Sequence, residues 1–269
     1  RAHGWGRQCC RAVRVLVFVI PPRDLIFFSA DLQGNAIIAE RMKAFAALYQ
    51  NEAKVIITTI DALMSAAVPF EQLMSYVIKL KEGDELDLEK LKHDLTVMGY
   101  ERVGRVEEPG QFTVHGGIAD VYPLTMEVPV RIELWGDEID TIRCFEPQSQ
   151  RSMDQIESVS VFPAAEVIAD DTARRRAVGM IQNELESQLA VFKKVKEPDK
   201  AKRLREETNR ILEALGEEVV LEAPDSYISY FYPRTVRLSE YFDEKNTLVF
   251  LDEPMRLKER GDGVQAEFE

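Results

Sequence analysis

Between Tyr76 and Pro163 the apolar residues recur mostly with a period of two, whereas on both sides they recur at spacings of three and four. A strand pattern and a helix pattern bury different faces and do not interconvert. The chain therefore has to combine a small sheet unit with helix-rich flanks. Four segments carry the central signal: Gln111–Val114, Ile118–Tyr122, Val130–Trp135 and Ile139–Phe145. Gly136-Asp137-Glu138, between the last two, is a turn signature, so they read as an antiparallel hairpin. Ahead of the strands, Asp87–Met98 has helical spacing and stops at Gly99, a residue suited to the left-handed position just past a helix.

The flanks read differently. Val15–Ile20 is a buried strand closed by prolines, and Val55–Thr58 is a second short apolar strand. Asn35–Tyr49 between them is a helix with Ile37, Ile38, Met42, Phe45 and Leu48 on one side. Asp61 is expected to cap the next helix. Strand, helix, strand, helix at these lengths points to a parallel α/β layer. Beyond Pro163, Thr172–Val195 places Val178, Ile181, Leu185, Leu189 and Phe192 on one stripe, Pro198 interrupts it, and Lys200–Leu215 follows up to Gly216. These two read as an antiparallel helix pair. Thr247–Leu251 is expected to be a short buried strand, and Arg1–Arg14, which has no periodicity, is set aside as a foreign or ragged start.

Composition narrows the chemistry. With 34 basic against 47 acidic residues the net charge is −13, so non-specific nucleic-acid binding by the whole surface is disfavoured, although a local basic patch is not. Arg174-Arg175-Arg176 and the lysines Lys193, Lys194, Lys196 and Lys200 have acidic neighbours and read as solvated helix surface. Cys9, Cys10 and Cys144 form neither a disulfide framework nor a zinc spacing, which fits a reducing, cytoplasmic setting. The longest apolar run, Val15–Ile20, is far below the ~18 residues a membrane span requires, so no membrane partner is expected. The histidines are His3, His93 and His115, and neither Gly-x-Ser-x-Gly nor His-Glu-x-x-His occurs. Leu248–Glu253 has the look of a strand ending in the Asp-Glu of a nucleotide-hydrolysing motor. No Gly-Lys pair exists to wrap the phosphates, so Asp252 and Glu253 read as the polar end of a buried strand. No catalytic residue, cofactor or metal is expected.

The hairpin carries the functional signal. In Val130–Trp135 the residues Val130, Ile132 and Leu134 form the core face, which turns Arg131, Glu133 and Trp135 outward. Arg143 and Phe145 share that face if the connection is Gly136–Asp140. Arg and Trp are the residue types most enriched at binding hot spots. Two readings remain open here: a partner-binding patch, or an indole tucked under the helix Asp87–Met98.

From Gly99-Tyr100-Glu101-Arg102-Val103, through Glu107–Phe112 and Gly116–Pro123, to Arg131–Asp140, the residues resemble the N-terminal module of the bacterial transcription-repair coupling factors (the Mfd family). That module is in turn similar to the excinuclease component UvrB. Pro22-Arg23-Asp24, Val55–Ala67, Gln150-Arg151-Ser152, Pro163–Glu166 and Thr247–Pro254 fit the same module, so the resemblance covers about Pro21 to Glu253. It implies a degenerate motor-like α/β domain in two segments, 1–75 and 164–269, with a small α+β domain at 76–163 inserted between them. It further implies that the inserted domain recruits the excinuclease component UvrA to RNA polymerase stalled at DNA damage, without catalysis of its own. Polymerase and DNA contacts, and any ATP and Mg²⁺ chemistry, would belong to domains absent from this chain, and other parts of the full protein would mask the recruiting face. The alternative is an ATP-dependent excision-repair protein similar to UvrB whose nucleotide loop is missing here. The family's recruiting Arg and aromatic correspond to Arg131 and Trp135. Where the family carries a further Arg, this chain has His115, which lacks a permanent charge and a bidentate fork, so that contact is expected to be weaker or pH-dependent.

Overall fold

The computed structural model describes residues 16–23, 32–216 and 227–268. Arg1–Arg14 and Val15, and the expectations placed on them, lie outside these. The chain opens with β1 (Val17–Ile20), α1 (Leu32–Tyr49) and β2 (Val55–Thr58), and the two strands pair in parallel with Val17 opposite Val55. The strand–helix–strand reading is therefore met in topology. It is corrected in burial: Ile20 is sealed, but Val17, Val19, Val55 and Ile57 are about half exposed. A parallel sheet is dry on both faces only when helices cover both, and among the described residues this ribbon has two strands.

α2 (Ile60–Met64) follows, and its cap is Thr59, whose hydroxyl accepts from the Ala62 amide at 3.3 Å. Asp61 is not the cap. It lies one position inside the helix and instead accepts from Arg260 Nε at 2.8 Å. β3 (Ala66–Ala67) and α3 (Phe70–Met74) lead to β4 (Ile78–Lys81), where the chain enters the sheet unit.

In that unit α4 (Leu88–Val97) is capped by the Asp87 carboxylate, which accepts from the amides of Glu89 and Lys90. The helix stops where Gly99 takes φ +91°, and a Cβ at that glycine would lie 2.8 Å from the Ala165 Cβ. Both the left-handed backbone and the close approach exclude a side chain. Then come β5 (Glu101–Arg102), β6 (Gln111–His115), β7 (Ile118–Val121), β8 (Val130–Trp135), β9 (Glu138–Phe145) and β10 (Ser152–Gln155). They form one six-stranded sheet in the order β10-β9-β8-β7-β6-β5, antiparallel except for the parallel β5–β6 pair. Leu91 and Leu95 of α4 close its inner face over Phe112, Val114, Ile132 and Ile142. β11 (Ser158–Val161) leaves the unit by pairing antiparallel with β4, so the entering and departing strands lie side by side.

The remainder is mostly helical: α5 (Asp171–Val195), α6 (Pro198–Gly216), α7 (Ile228–Phe231), the short β12 (Val236–Arg237), which pairs with β3, and α8 (Pro254–Phe268). α5 and α6 pack on each other as expected, with Lys196 at φ +59° ending the first and Pro198 starting the second. Thr247–Leu251 departs from expectation. It is not a strand, and Leu248, Val249, Phe250 and Leu251 are 84%, 76%, 89% and 64% exposed. A short strand persists only where a neighbour takes up its backbone hydrogen bonds, and none of the described strands lies against it.

The flanks and the exit from the sheet unit meet at a buried ion cluster. Arg41, fully buried on α1, donates to both oxygens of Glu166, and Arg23 donates to the same carboxylate. Arg41 also reaches the Pro21 carbonyl, and Arg23 the Ala66 carbonyl. Burial alone would push the Glu166 carboxyl up; the two guanidinium groups outweigh it and hold the group below the ordinary glutamate range. No helix among the described residues is long and apolar enough to cross a membrane.

Candidate partner-binding face

Side chains opposite one another on neighbouring strands share a face, so the pairing register defines the sheet's outer surface. One row runs His115–Ile118–Glu133–Thr141 and the next runs Thr113–Asp120–Arg131–Arg143–Gln155. Beyond the first row, Trp135 faces Glu138 across Gly136 and Asp137. All five residues singled out from the sequence, His115, Arg131, Glu133, Trp135 and Arg143, therefore stand on one face.

The hairpin geometry explains how. The connection is the two residues Gly136 and Asp137, with φ +66° at the glycine, as the first position of a type II′ turn requires. A register shift between Glu133 and Leu134 leaves Asp140 unmatched. This bulge lets Ile139 and Ile142 both point into the core while Thr141 and Arg143 join the outer face.

Trp135 is 84% exposed, which removes the alternative in which its indole tucks under α4. Ile118, on the neighbouring strand and the same face, is 40% exposed. Around these apolar groups lie His115, whose Nε2 is 2.9 Å from the Thr113 hydroxyl, and Glu133, which accepts from the Thr141 hydroxyl at 3.3 Å.

Arg131 is placed as expected but is already engaged. Its Nε and Nη2 donate to the two oxygens of Asp120, each at 2.8 Å, and its guanidinium lies 4.8 Å from the centre of the Phe145 ring. The fork on Asp120 raises its affinity for the proton still further. Among the described residues Nη1 has no partner, so one edge of the fork is left for a visitor. Arg143, opposite it, has a buried Nε with no hydrogen-bond partner among the described residues.

Phe145 requires a correction. It is on the outer face, but it is fully buried in a small cluster with Val106 and Tyr122. The segment carrying Val106 folds over that end of the sheet, helped by Gln150 donating to the Val106 carbonyl. The open part of the face is thus the end bearing His115, Ile118 and Trp135. Asp120, Ile118 and Thr141 were not picked out in the sequence. The signal for Asp120 was present, since an acid on the next strand opposite an outward Arg is a cross-strand pair.

A family model described as the UvrB interaction domain matches residues 78–166. Its limits are β4 and Glu166, the entry strand and the residue of the buried ion cluster. Over more than that segment, the chain is similar to the transcription-repair-coupling factor of Bacillus subtilis, at 32% identity over 251 residues, covering 93% of this chain and 21% of that protein. The corresponding factor of Staphylococcus haemolyticus is 32% identical over 248 residues, covering 90% of this chain and 20% of its own length. The UvrABC system protein B of Thermosipho africanus is 32% identical over 240 residues, covering 87% of this chain and 36% of its own length. The chain therefore spans about a fifth of the coupling factors it matches.

Proposed function

We propose that the outer face of β6–β9 is the docking surface by which this module recruits UvrA, the excinuclease component, in transcription-coupled nucleotide excision repair. The observation that carries the reading is Trp135, left 84% exposed at the open end of an interaction-domain sheet. A tryptophan buries about 150–250 Å² when covered. That area is costly to leave in water and strongly favourable to cover. Trp135 and Ile118 act as the apolar anchor; Nη1 of Arg131 and the guanidinium of Arg143 meet carboxylates of the partner; His115 and Glu133 lie at the rim. The small domain at 76–163 does this without catalysis. Polymerase binding and DNA tracking belong to regions of the full-length protein outside this chain, and one of those regions covers the same face until the motor is engaged.

Isothermal calorimetry with purified UvrA tests the reading. Truncating a central hot spot costs about 2 kcal/mol or more, so Trp135→Ala weakens binding at least ten-fold while the melting profile is unchanged. Wild-type affinity in that variant removes Trp135 from the site. Titration with Mg-ATP separates the runner-up, an excision-repair ATPase similar to UvrB, because the recruitment reading requires no nucleotide binding by this chain.

A further inference from the structure

α5 and α6 build a feature that the docking face does not use. α5 has 25 residues, so it is about 37 Å long at 1.5 Å per residue. Its buried residues, Ala177 and Ile181, lie in its first half, and those of α6, Thr208 and Leu215, lie in its second half. The halves that meet near Lys196 are covered only along their mutual seam, where Leu185, Leu189, Phe192 and Leu204 are half-buried. The pair stands off the body as an arm.

The charge of the arm's tip is opposite to that of the chain. Lys193, Lys194 and Lys196 end α5, all exposed. Lys200, Lys202, Arg203 and Arg205 occupy the first turns of α6, also exposed. Only Glu197 and Asp199 interrupt them. Lys200 pairs with Glu197 at 2.6 Å and Lys202 is 3.9 Å from Glu206, while the other five cations make no ion pair among the described residues. Cations at a helix C-terminus complement the macrodipole, which accounts for Lys193 and Lys194. Lys202, Arg203 and Arg205 lie past the first turn of α6, beyond the reach of its dipole, so the macrodipole does not account for them. A polyanion does. The arm also carries the tip beyond the ~8 Å screening length at physiological salt from the acidic body.

We propose that the tip of the α5–α6 arm is a contact site for the phosphate backbone of duplex nucleic acid, independent of the docking face on the sheet. A duplex offers one negative charge per ~1.7 Å of axis, so cations on two helix ends about 8–10 Å apart engage several phosphates at once. The binding is sequence-independent, because contacts to phosphates position a protein on the duplex without reading its bases.

Fluorescence anisotropy of the whole chain with a labelled mixed-sequence duplex tests this. Affinity falls on the order of 100-fold between about 50 and 200 mM salt if four phosphates are neutralised. The combined variant Lys193→Gln, Lys194→Gln, Lys196→Gln, Arg203→Gln and Arg205→Gln keeps helix formers at exposed positions, retains wild-type circular dichroism and binds at least ten-fold more weakly. The charge-preserving pair Arg203→Lys and Arg205→Lys binds like wild type. Polyglutamate is the control for a carboxylate partner, since Phe192 floors a cleft between the helix ends that an acidic peptide would also suit. The proposal is overturned by absent or salt-insensitive duplex binding, by an unaltered neutralised variant, or by polyglutamate binding more tightly than the duplex.

Discussion

Replacing Arg131 with alanine separates what that residue does for the fold from what it does for a partner. Asp120 has only 9% of its side chain exposed and Arg131 21%, and they share two bonds of 2.8 Å. Truncation leaves a nearly buried carboxylate unpaired. Breaking buried pairs from one side costs about 3–5 kcal/mol, and the partial exposure of Arg131 places this case near 3. Loss of the guanidinium over Phe145 adds a few tenths to about 1 kcal/mol. With an unfolding entropy of about 2.1 cal/mol/K per residue, 3 kcal/mol lowers Tm by about 5 °C if all 269 residues melt together, and by more if the sheet unit melts alone. The double variant Asp120→Ala with Arg131→Ala removes the stranded charge, so it is less destabilised than the sum of the single variants by about 2 kcal/mol. Thermal and urea denaturation of the four proteins measure this. A melting point within about 1 °C of wild type for Arg131→Ala, or strict additivity, would refute the reasoning and return Arg131 to the status of a free surface contact.

Glu166→Gln removes the charge that Arg23 and Arg41 share and is expected to cost about 3–5 kcal/mol. Because the folded-state pKa of Glu166 lies below the unfolded value of ~4.3, its contribution is complete above that value and is lost as pH falls toward the folded pKa. Urea midpoints of wild type and Glu166→Gln should therefore converge on acidification below about pH 4.3, and parallel curves would count against the cluster. Gly99→Ala forces a Cβ to 2.8 Å from Ala165 at φ +91° and is expected to cost about 2–3 kcal/mol. Gly136→Ala meets open space and only backbone strain, about 1 kcal/mol. Equal costs in denaturation would show that the Ala165 contact is not tight.

Much of the sheet unit was legible because its signals are local. Alternation fixed which side of Val130–Trp135 is wet, and Asp87 and Gly99 bracketed α4. Non-local facts were not legible. That Phe145 would be covered depends on where the segment carrying Val106 lies, and that Arg131 would be engaged depends on the register that sets it opposite Asp120. Arg41 stood among the apolar residues of α1, a hint of a buried charge, yet its partner is 125 positions away. Thr247–Leu251 has a strand's composition, but composition does not provide the neighbouring strand that burial requires.

The environment of one indole decides the docking account. The chain has two tryptophans, Trp5 and Trp135, so fluorotryptophan incorporated into a Trp5→Phe variant reports Trp135 alone in fluorine NMR. In the free protein its resonance is expected at the position of a water-exposed indole. Saturating UvrA should move it to that of a buried one and abolish its response to an aqueous paramagnetic probe. A resonance that stays exposed in the fully formed complex would place the contact elsewhere and contradict the account.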